Sequence, residues 1–351
     1  MTIEHLITRI QPLDQEAMAA ARARQDMLTK PQGSLGRLES LSIQLAGITG
    51  QARPRIEHKV VTVMAGDHGV VAEGVSAFPQ EVTPQMVLNF LYGGAAINVL
   101  AKHVGARVVI VDMGVAAEMQ AHPQLVSRRV AAGTANIARG PAMTHDQAEQ
   151  SILSGAEVVE AEIARGLDIL ATGDMGIGNT TPSAAIACAV TGRTPSEIVG
   201  RGTGVDNDGL KRKVQAVEDA LRINRPNPND GLELLSKVGG FEIGGLAGAI
   251  LGAAAHRRPV VIDGFISTAA AIIAVTLAPQ VREYLIAAHC SQELGHRLMM
   301  DWLGVAPLLD MHMRLGEGTG AALAMSVVEA SCKILDEMAT FGEAGVSEKA
   351  G

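Results

Sequence analysis

From residue 59 onward the chain repeats one grammar: a short β-branched run, a Gly/Asp loop, then an Ala-rich helical stretch. That rhythm predicts parallel strands covered on both faces by helices, an α/β fold with a Rossmann-like sheet. The runs are Val60–Met64, Val108–Val111, Ile169–Thr172, Val260–Ile262, Leu285–Ala287 and, less regularly, Leu308–Met313, about six strands in all. Before them, residues 12–28 read as a helix stopped near Pro31, and a second helix carries Leu35, Leu38, Leu41, Leu45 and Ile48 at three- and four-residue steps. The Pro/Asn stretch 224–230 reads as a surface loop between helices. The two ends have no strands left to cover. The expected division is therefore a large α/β domain over 50–320 and a small helical domain made from 1–49 and 321–351.

Composition narrows the function. A net charge of -8 and the absence of a basic stripe argue against nucleic acid, and 2% aromatics leave few stacking platforms. With 39 glycines, a ligand would meet backbone and small side chains. Cys188, Cys290 and Cys332 are far apart, which fits a reducing cytoplasm better than disulfides or a structural zinc. The first residues lack the apolar core of a secretory signal. The most apolar region, Gly244–Pro279, is interrupted by His256–Pro259 and Asp263, and reads as buried helix, strand and helix rather than a membrane span.

In a doubly wound sheet, ligands bind beyond the carboxyl ends of the strands. Here those positions hold Gly66-Asp67-His68-Gly69, Asp112-Met113-Gly114, Gly173–Thr181, Asp263-Gly264, His289-Cys290-Ser291 and Gly316–Gly320. Any one of these could be an ordinary βα turn; six together predict a shared crevice. In the loop Thr172–Thr181, Thr181 is the expected N-cap and Pro182 lies in the first helical turn, so the helix start faces an anion such as phosphate. Its G-x-x-G-x-G spacing is neither the dinucleotide fingerprint nor a P-loop. A second cluster, Gly200-Arg201-Gly202-Thr203-Gly204, precedes Lys211, Arg212 and Lys213, one of which could supply positive charge.

Glu317, between Gly316 and Gly318, is either a first-turn charge or a general base whose pKa rises in a tight, partly dry loop. Asp174 could assist it. No metal site is expected: His68, His289, His296 and His312 are dispersed, and Asp67-His68 or Asp310–His312 read more simply as hydrogen-bonded turn or core residues.

Five motifs then carry a resemblance covering essentially the whole chain. They are Leu28–Glu39 (LTKPQGSLGRLE), Ala65–Val70 (AGDHGV), Asn89–Asn98 (NFLYGGAAIN), Gly173–Thr181 and Arg314–Gly320 (RLGEGTG). Together they resemble the nicotinate-nucleotide–dimethylbenzimidazole phosphoribosyltransferase family, which builds the lower nucleotide loop of cobalamin. The resemblance implies transfer of phosphoribose from nicotinate mononucleotide to 5,6-dimethylbenzimidazole, giving α-ribazole 5'-phosphate and nicotinate with inversion. It implies Glu317 as the base, and phosphate and ribose held by Gly176, Gly178, Asn179, Thr180, Gly202, Lys213, Gly264 and Ser291. The benzimidazole would lie near Ser76, Phe78, Gln80, and Met86 or Phe90. In the family a glutamate often stands where this chain has Asp174, whose side chain reaches one methylene less far. The resemblance also implies no metal or cofactor, and a homodimer. A nicotinamide-dependent oxidoreductase on a similar sheet is the alternative, weakened by the glycine order and by the lack of a second dinucleotide half after residue 320.

Overall fold

A computed structural model describes residues 2–202 and 204–347. Thr203 of the second glycine cluster, Met1, and residues 348–351 of the expected small domain lie outside the described residues. Six parallel strands form one sheet: β1 (Lys59–Gly66), β2 (Ala106–Gly114), β3 (Leu125–Ser127), β4 (Ile169–Met175), β5 (Val260–Ile262) and β6 (Leu285–Ala287). Their spatial order is β3-β2-β1-β4-β5-β6, so the winding reverses between β1 and β4.

The strands are buried on both faces, and their alternation sorts the core. Val60 and Met64 of β1 join Val109 and Val111 of β2, Leu170 of β4 and Ile262 of β5 on one face. Val61, Val63 and Ala65 join Ile110, Ala171, Val261 and Ile286 on the other. The first face is covered by the helices His145–Ile163 and Phe241–Ala255, which touch backbone to backbone. A Cβ at Gly155 would lie 1.8 Å from the Gly245 carbonyl oxygen, and one at Gly248 equally close to that of Ile152. Glycine is obligatory at that crossing.

Five of the six expected runs are strands. Leu308–Met313 is not: it makes a single bridge, His289 to Leu309, before His312 takes a left-handed φ of 54° that breaks the extension. The sixth strand is instead the edge segment Leu125–Ser127, only three residues beside β2. The Gly244–Pro279 region is helix Phe241–Ala255, β5 and helix Phe265–Leu277, as expected. Among the described residues no helix is long and apolar enough to cross a membrane. The stretch 224–230 links helix Asn207–Asn224 to helix Gly231–Val238.

Helices Gln15–Met27 and Arg37–Thr49 pack with Thr319–Glu337 around Ala17, Ala21, Ala46 and Leu335. Arg24, buried, donates to the carbonyls of Leu335, Asp336 and Met338, satisfying the end of that last helix. The start of the same helix touches β1, β4 and β5, so it ties the terminal helices to the carboxyl rim of the sheet.

Candidate active site

At the rim beyond β1, β4, β5 and β6 lies a cavity of about 650 Å³, beside the reversal point where this sheet plan opens a crevice. Phe78, Val82 and Met86 form one wall. Asp174–Ile177, Asn179, Thr180 and Gly202 form another, and Gly264–Ile266, His289, Ser291, Glu293 and Arg314–Glu317 complete it.

The loop after β4 sits hard against its neighbours. A Cβ on Gly176 would stand 2.2 Å from the Gly66 carbonyl oxygen, and Gly178, at φ 90°, has Val71 2.7 Å from where a Cβ would be. The Ile177 N–H donates to the Thr83 hydroxyl, which in turn hydrogen-bonds the Asp67 carboxyl. The following helix, Thr180–Thr191, begins earlier than expected: Asn179, not Thr181, is its N-cap, and Thr181 is buried, its hydroxyl without a hydrogen-bond partner among the described residues. Asn179 turns its side chain back, donating Nδ2 to Asp174 Oδ2 at 2.9 Å. A capping role is thus exchanged for holding a rim carboxyl.

Of the three basic residues after the second glycine cluster, Lys213 is the one that reaches the rim. Its Nζ donates to Thr180 Oγ1 at 2.9 Å and to the Gly200 carbonyl at 3.0 Å. A Cβ on Gly202 would come within 2.8 Å of that Nζ. Lys213 does not line the cavity but stands directly behind two residues that do. Burial pulls its ammonium down to about 8, against the upward pull of Glu293. Lys211 pairs with Asp208, and Arg212 donates to the Gly74 carbonyl. Ser291 Oγ accepts the Glu293 N–H and so keeps its own proton to donate.

Glu317 is held in a left-handed conformation, φ 61°, between Gly316 and Gly318, which are left-handed too. Such a backbone in a glutamate persists only where surroundings impose it. They do: Asp263 Oδ2 accepts the Gly318 N–H at 3.1 Å and Oδ1 accepts the Ala321 N–H at 2.8 Å, while Gly173 lies under the Glu317 carbonyl. The Glu317 carboxyl is buried, which raises its pKa, and its Oε2 accepts the Ile97 N–H at 3.4 Å, which opposes the rise. Burial, together with the neighbouring Asp263, Glu242 and Glu317, pushes Asp174 up to about 8, which favours its protonated form. Burial likewise lifts Asp263 to about 7 against its backbone donors. The rim therefore carries one carboxyl, Asp263, held by main-chain donors, beside Asp174 and Glu317, whose pKa values burial raises.

Of the residues expected from sequence, Asp174, Gly176, Asn179, Thr180, Gly202, Gly264, Ser291, Phe78, Met86 and Glu317 line one cavity. Gly178 packs against Val71 and is not among the lining residues, and three acceptor-side expectations fall elsewhere. Ser76 accepts the Phe78 N–H, and Gln80 contributes its carbonyl to Thr83 N–H; neither lines the cavity. Phe90 is 1% exposed and belongs to the core with Ile97. Four residues along a helix advance the side chain about 40° past a full turn, so Val82 and Met86 face the cavity and Phe90 has rotated into the protein. Val82, Glu293, Ile97 and Arg314 were not expected as site residues, whereas His289 lines the cavity as its place in the strand-end loop His289-Cys290-Ser291 implied. Ile97 and Arg314 belong to the quoted NFLYGGAAIN and RLGEGTG runs, but only the structure brings Ile97 N–H to Glu317 and Arg314 Nη1 to the Gly202 carbonyl, at 2.9 Å.

His68 pairs with Glu242 at 2.8 Å, both fully buried, and His312 hydrogen-bonds Gln292. Among the described residues, no three His, Cys, Asp or Glu gather as a metal-binding group.

Known proteins match over the same extent. A protein from Roseiflexus sp. strain RS-1 named nicotinate-nucleotide–dimethylbenzimidazole phosphoribosyltransferase is 63% identical over 347 residues, covering 99% of this chain and 98% of its own. One of the same name from Chloroflexus aurantiacus is 62% identical over 99% of both chains. The crystal structure of CobT from Thermus thermophilus superposes with a TM-score of 0.92 at 51% identity, over 95% of this chain and 100% of that one. With the family profile described as phosphoribosyltransferase matching residues 10–346, this chain belongs to the phosphoribosyltransferase family whose curated members carry that name.

Proposed function

We propose that this enzyme moves the 5-phosphoribosyl group of nicotinate mononucleotide to a ring nitrogen of 5,6-dimethylbenzimidazole, releasing nicotinate and α-ribazole 5'-phosphate. The observation that carries the reading is Glu317: a buried carboxyl held in a left-handed backbone, sharing one cavity with the Gly176–Thr180 loop, Gly264 and Ser291. Glu317 takes the proton from one benzimidazole nitrogen. The other nitrogen's lone pair forms the new bond to the anomeric carbon, while the bond to nicotinate breaks and its electron pair neutralises the pyridinium nitrogen. Attack from the face opposite the leaving group inverts β to α. Raised basicity suits the task, because a carboxylate of ordinary pKa is too weak a base for an azole N–H.

Phosphate is held by Gly176, Asn179, Thr180, Gly202 and Ser291, with the Lys213 charge behind Thr180. Asp174, protonated, keeps Asn179 in place and offers an O–H rather than a charge to the sugar. Phe78, Val82 and Met86 give the acceptor a flat apolar bed. Apolar contacts separate one methyl group by only ~1–3 kcal/mol, so related azoles are accepted too. The reading calls for no cofactor or metal. We also propose a cytoplasmic homodimer, with the α/β domain over 50–320 and the terminal helices as a smaller unit.

Incubating the enzyme with nicotinate mononucleotide and dimethylbenzimidazole yields the α-linked product. Glu317→Gln keeps mononucleotide binding and loses ~10²–10⁴ of kcat, as for a removed general base. Full turnover in that variant sinks the assignment. Tight NAD binding without mononucleotide binding would instead favour an oxidoreductase.

A further inference from the structure

We infer that His296 is a positioning residue for the phosphate end of the cavity, acting as a neutral imidazole that joins Ser291 to Gly264. This rests on the reading above that those two residues meet the substrate anion. His296 opens the helix His296–Leu303, is 1% exposed, and does not line the cavity. The Ser291 backbone N–H lies 2.9 Å from its Nδ1, and a backbone N–H can only donate, so Nδ1 carries a lone pair. Its Nε2 lies 2.9 Å from Thr268 Oγ1. That hydroxyl spends its single proton on the Gly264 carbonyl at 2.8 Å, so Nε2 must be the donor.

Every hydrogen in the chain Ser291–His296–Thr268–Gly264 is thereby assigned, and it runs in one direction. The tautomer follows from geometry alone. Burial agrees, pulling the His296 pKa down to about 3, with the nearby His289 adding to it. Gly264 is the N-cap of the helix Phe265–Leu277. The link therefore sets the gap between a helix start after β5 and the Ser291 loop after β6, the two walls of one anion site. A doubly protonated ring would turn Nδ1–H against the Ser291 N–H and open that gap.

Steady-state kinetics of the full-length enzyme test it, with inorganic phosphate as inhibitor. His296→Phe fills the space without either hydrogen bond, and His296→Asn restores an acceptor near the Nδ1 position. In His296→Phe the KM for nicotinate mononucleotide and the Ki for phosphate should rise about tenfold, with kcat and the KM for dimethylbenzimidazole nearly unchanged. His296→Asn should recover part of that loss. No rise in a folded His296→Phe, or equal rises in both KM values, overturns the inference. A wild-type enzyme in which phosphate does not compete with the mononucleotide overturns the anion-site reading and the inference with it. Should His296→Phe not fold, nitrogen-15 NMR of histidine-labelled wild type decides: Nδ1 bare and Nε2 protonated at pH 7 supports the link, and any other protonation state refutes it.

Discussion

Gly173 is where a single methyl group most directly tests how Glu317 is held. The residue lies in β4, immediately before Asp174, at a backbone geometry that alanine adopts, since it is absent from the left-handed glycines. A Cβ there would stand 2.5 Å from the Glu317 carbonyl oxygen and 2.8 Å from the Gly318 nitrogen. Both are backbone atoms and cannot swing aside. Relief to an ordinary contact requires the Glu317 loop to move by about 0.9 Å, while Asp263 still grips its other end through Gly318 and Ala321. A misplacement of about 1 Å costs ~10²-fold in rate, whereas overpacking of this size destabilises by ~1–3 kcal/mol. Gly173→Ala should therefore lose about two orders of magnitude in kcat while remaining folded, read by product formation alongside thermal unfolding. Because the loss acts through Glu317, adding Gly173→Ala to Glu317→Gln should cost little more. Wild-type kcat in Gly173→Ala, or full multiplicative losses in the double variant, would refute the argument that β4 positions the base.

The pH profile of kcat/KM should rise from the acid side with a limb above the ordinary carboxylate range, because Glu317, as the proposed base, would work only when ionised, and burial has raised its pKa. It should fall again on the alkaline side as Lys213, lowered to about 8, and Asp174, raised to about 8, both lose their protons; a profile flat on both sides contradicts these assignments. Lys213→Met should raise the KM for nicotinate mononucleotide ~10–100-fold, the worth of a charge-assisted hydrogen bond, and leave the KM for dimethylbenzimidazole unchanged. Burial pushes the Cys188 and Cys332 thiols up to about 12, so a thiol reagent should modify neither until the protein unfolds; rapid labelling of the native enzyme at either cysteine would contradict their burial.

Local chemistry was legible wherever it was written in consecutive residues. The β-branched runs between Gly/Asp loops announced five strands, because a strand buried on both faces has no polar side to show. β3 stayed hidden because three residues at a sheet edge carry too short a pattern, and Leu308–Met313 misled because its apolar residues continue past a left-handed turn at His312. Glu317 stood out because a carboxylate between two glycines has few ordinary uses. Thr181 looked like a cap, yet the helix began at Thr180 and left Asn179 free to hold Asp174, a choice that depends on what lies five residues away across the loop.

The order of apolar and small residues by itself determined a parallel α/β sheet with polar glycine loops at its carboxyl rim, since burial and backbone freedom are properties of each residue and its near neighbours. Which of those loops meet was decided only in three dimensions. Asp263 and Gly318 are 55 residues apart, and Ile97 and Glu317 are 220 apart. Nothing in either stretch of chain specifies the other, because a hydrogen bond a few ångströms long is set by how the strands are ordered, here by the reversal between β1 and β4.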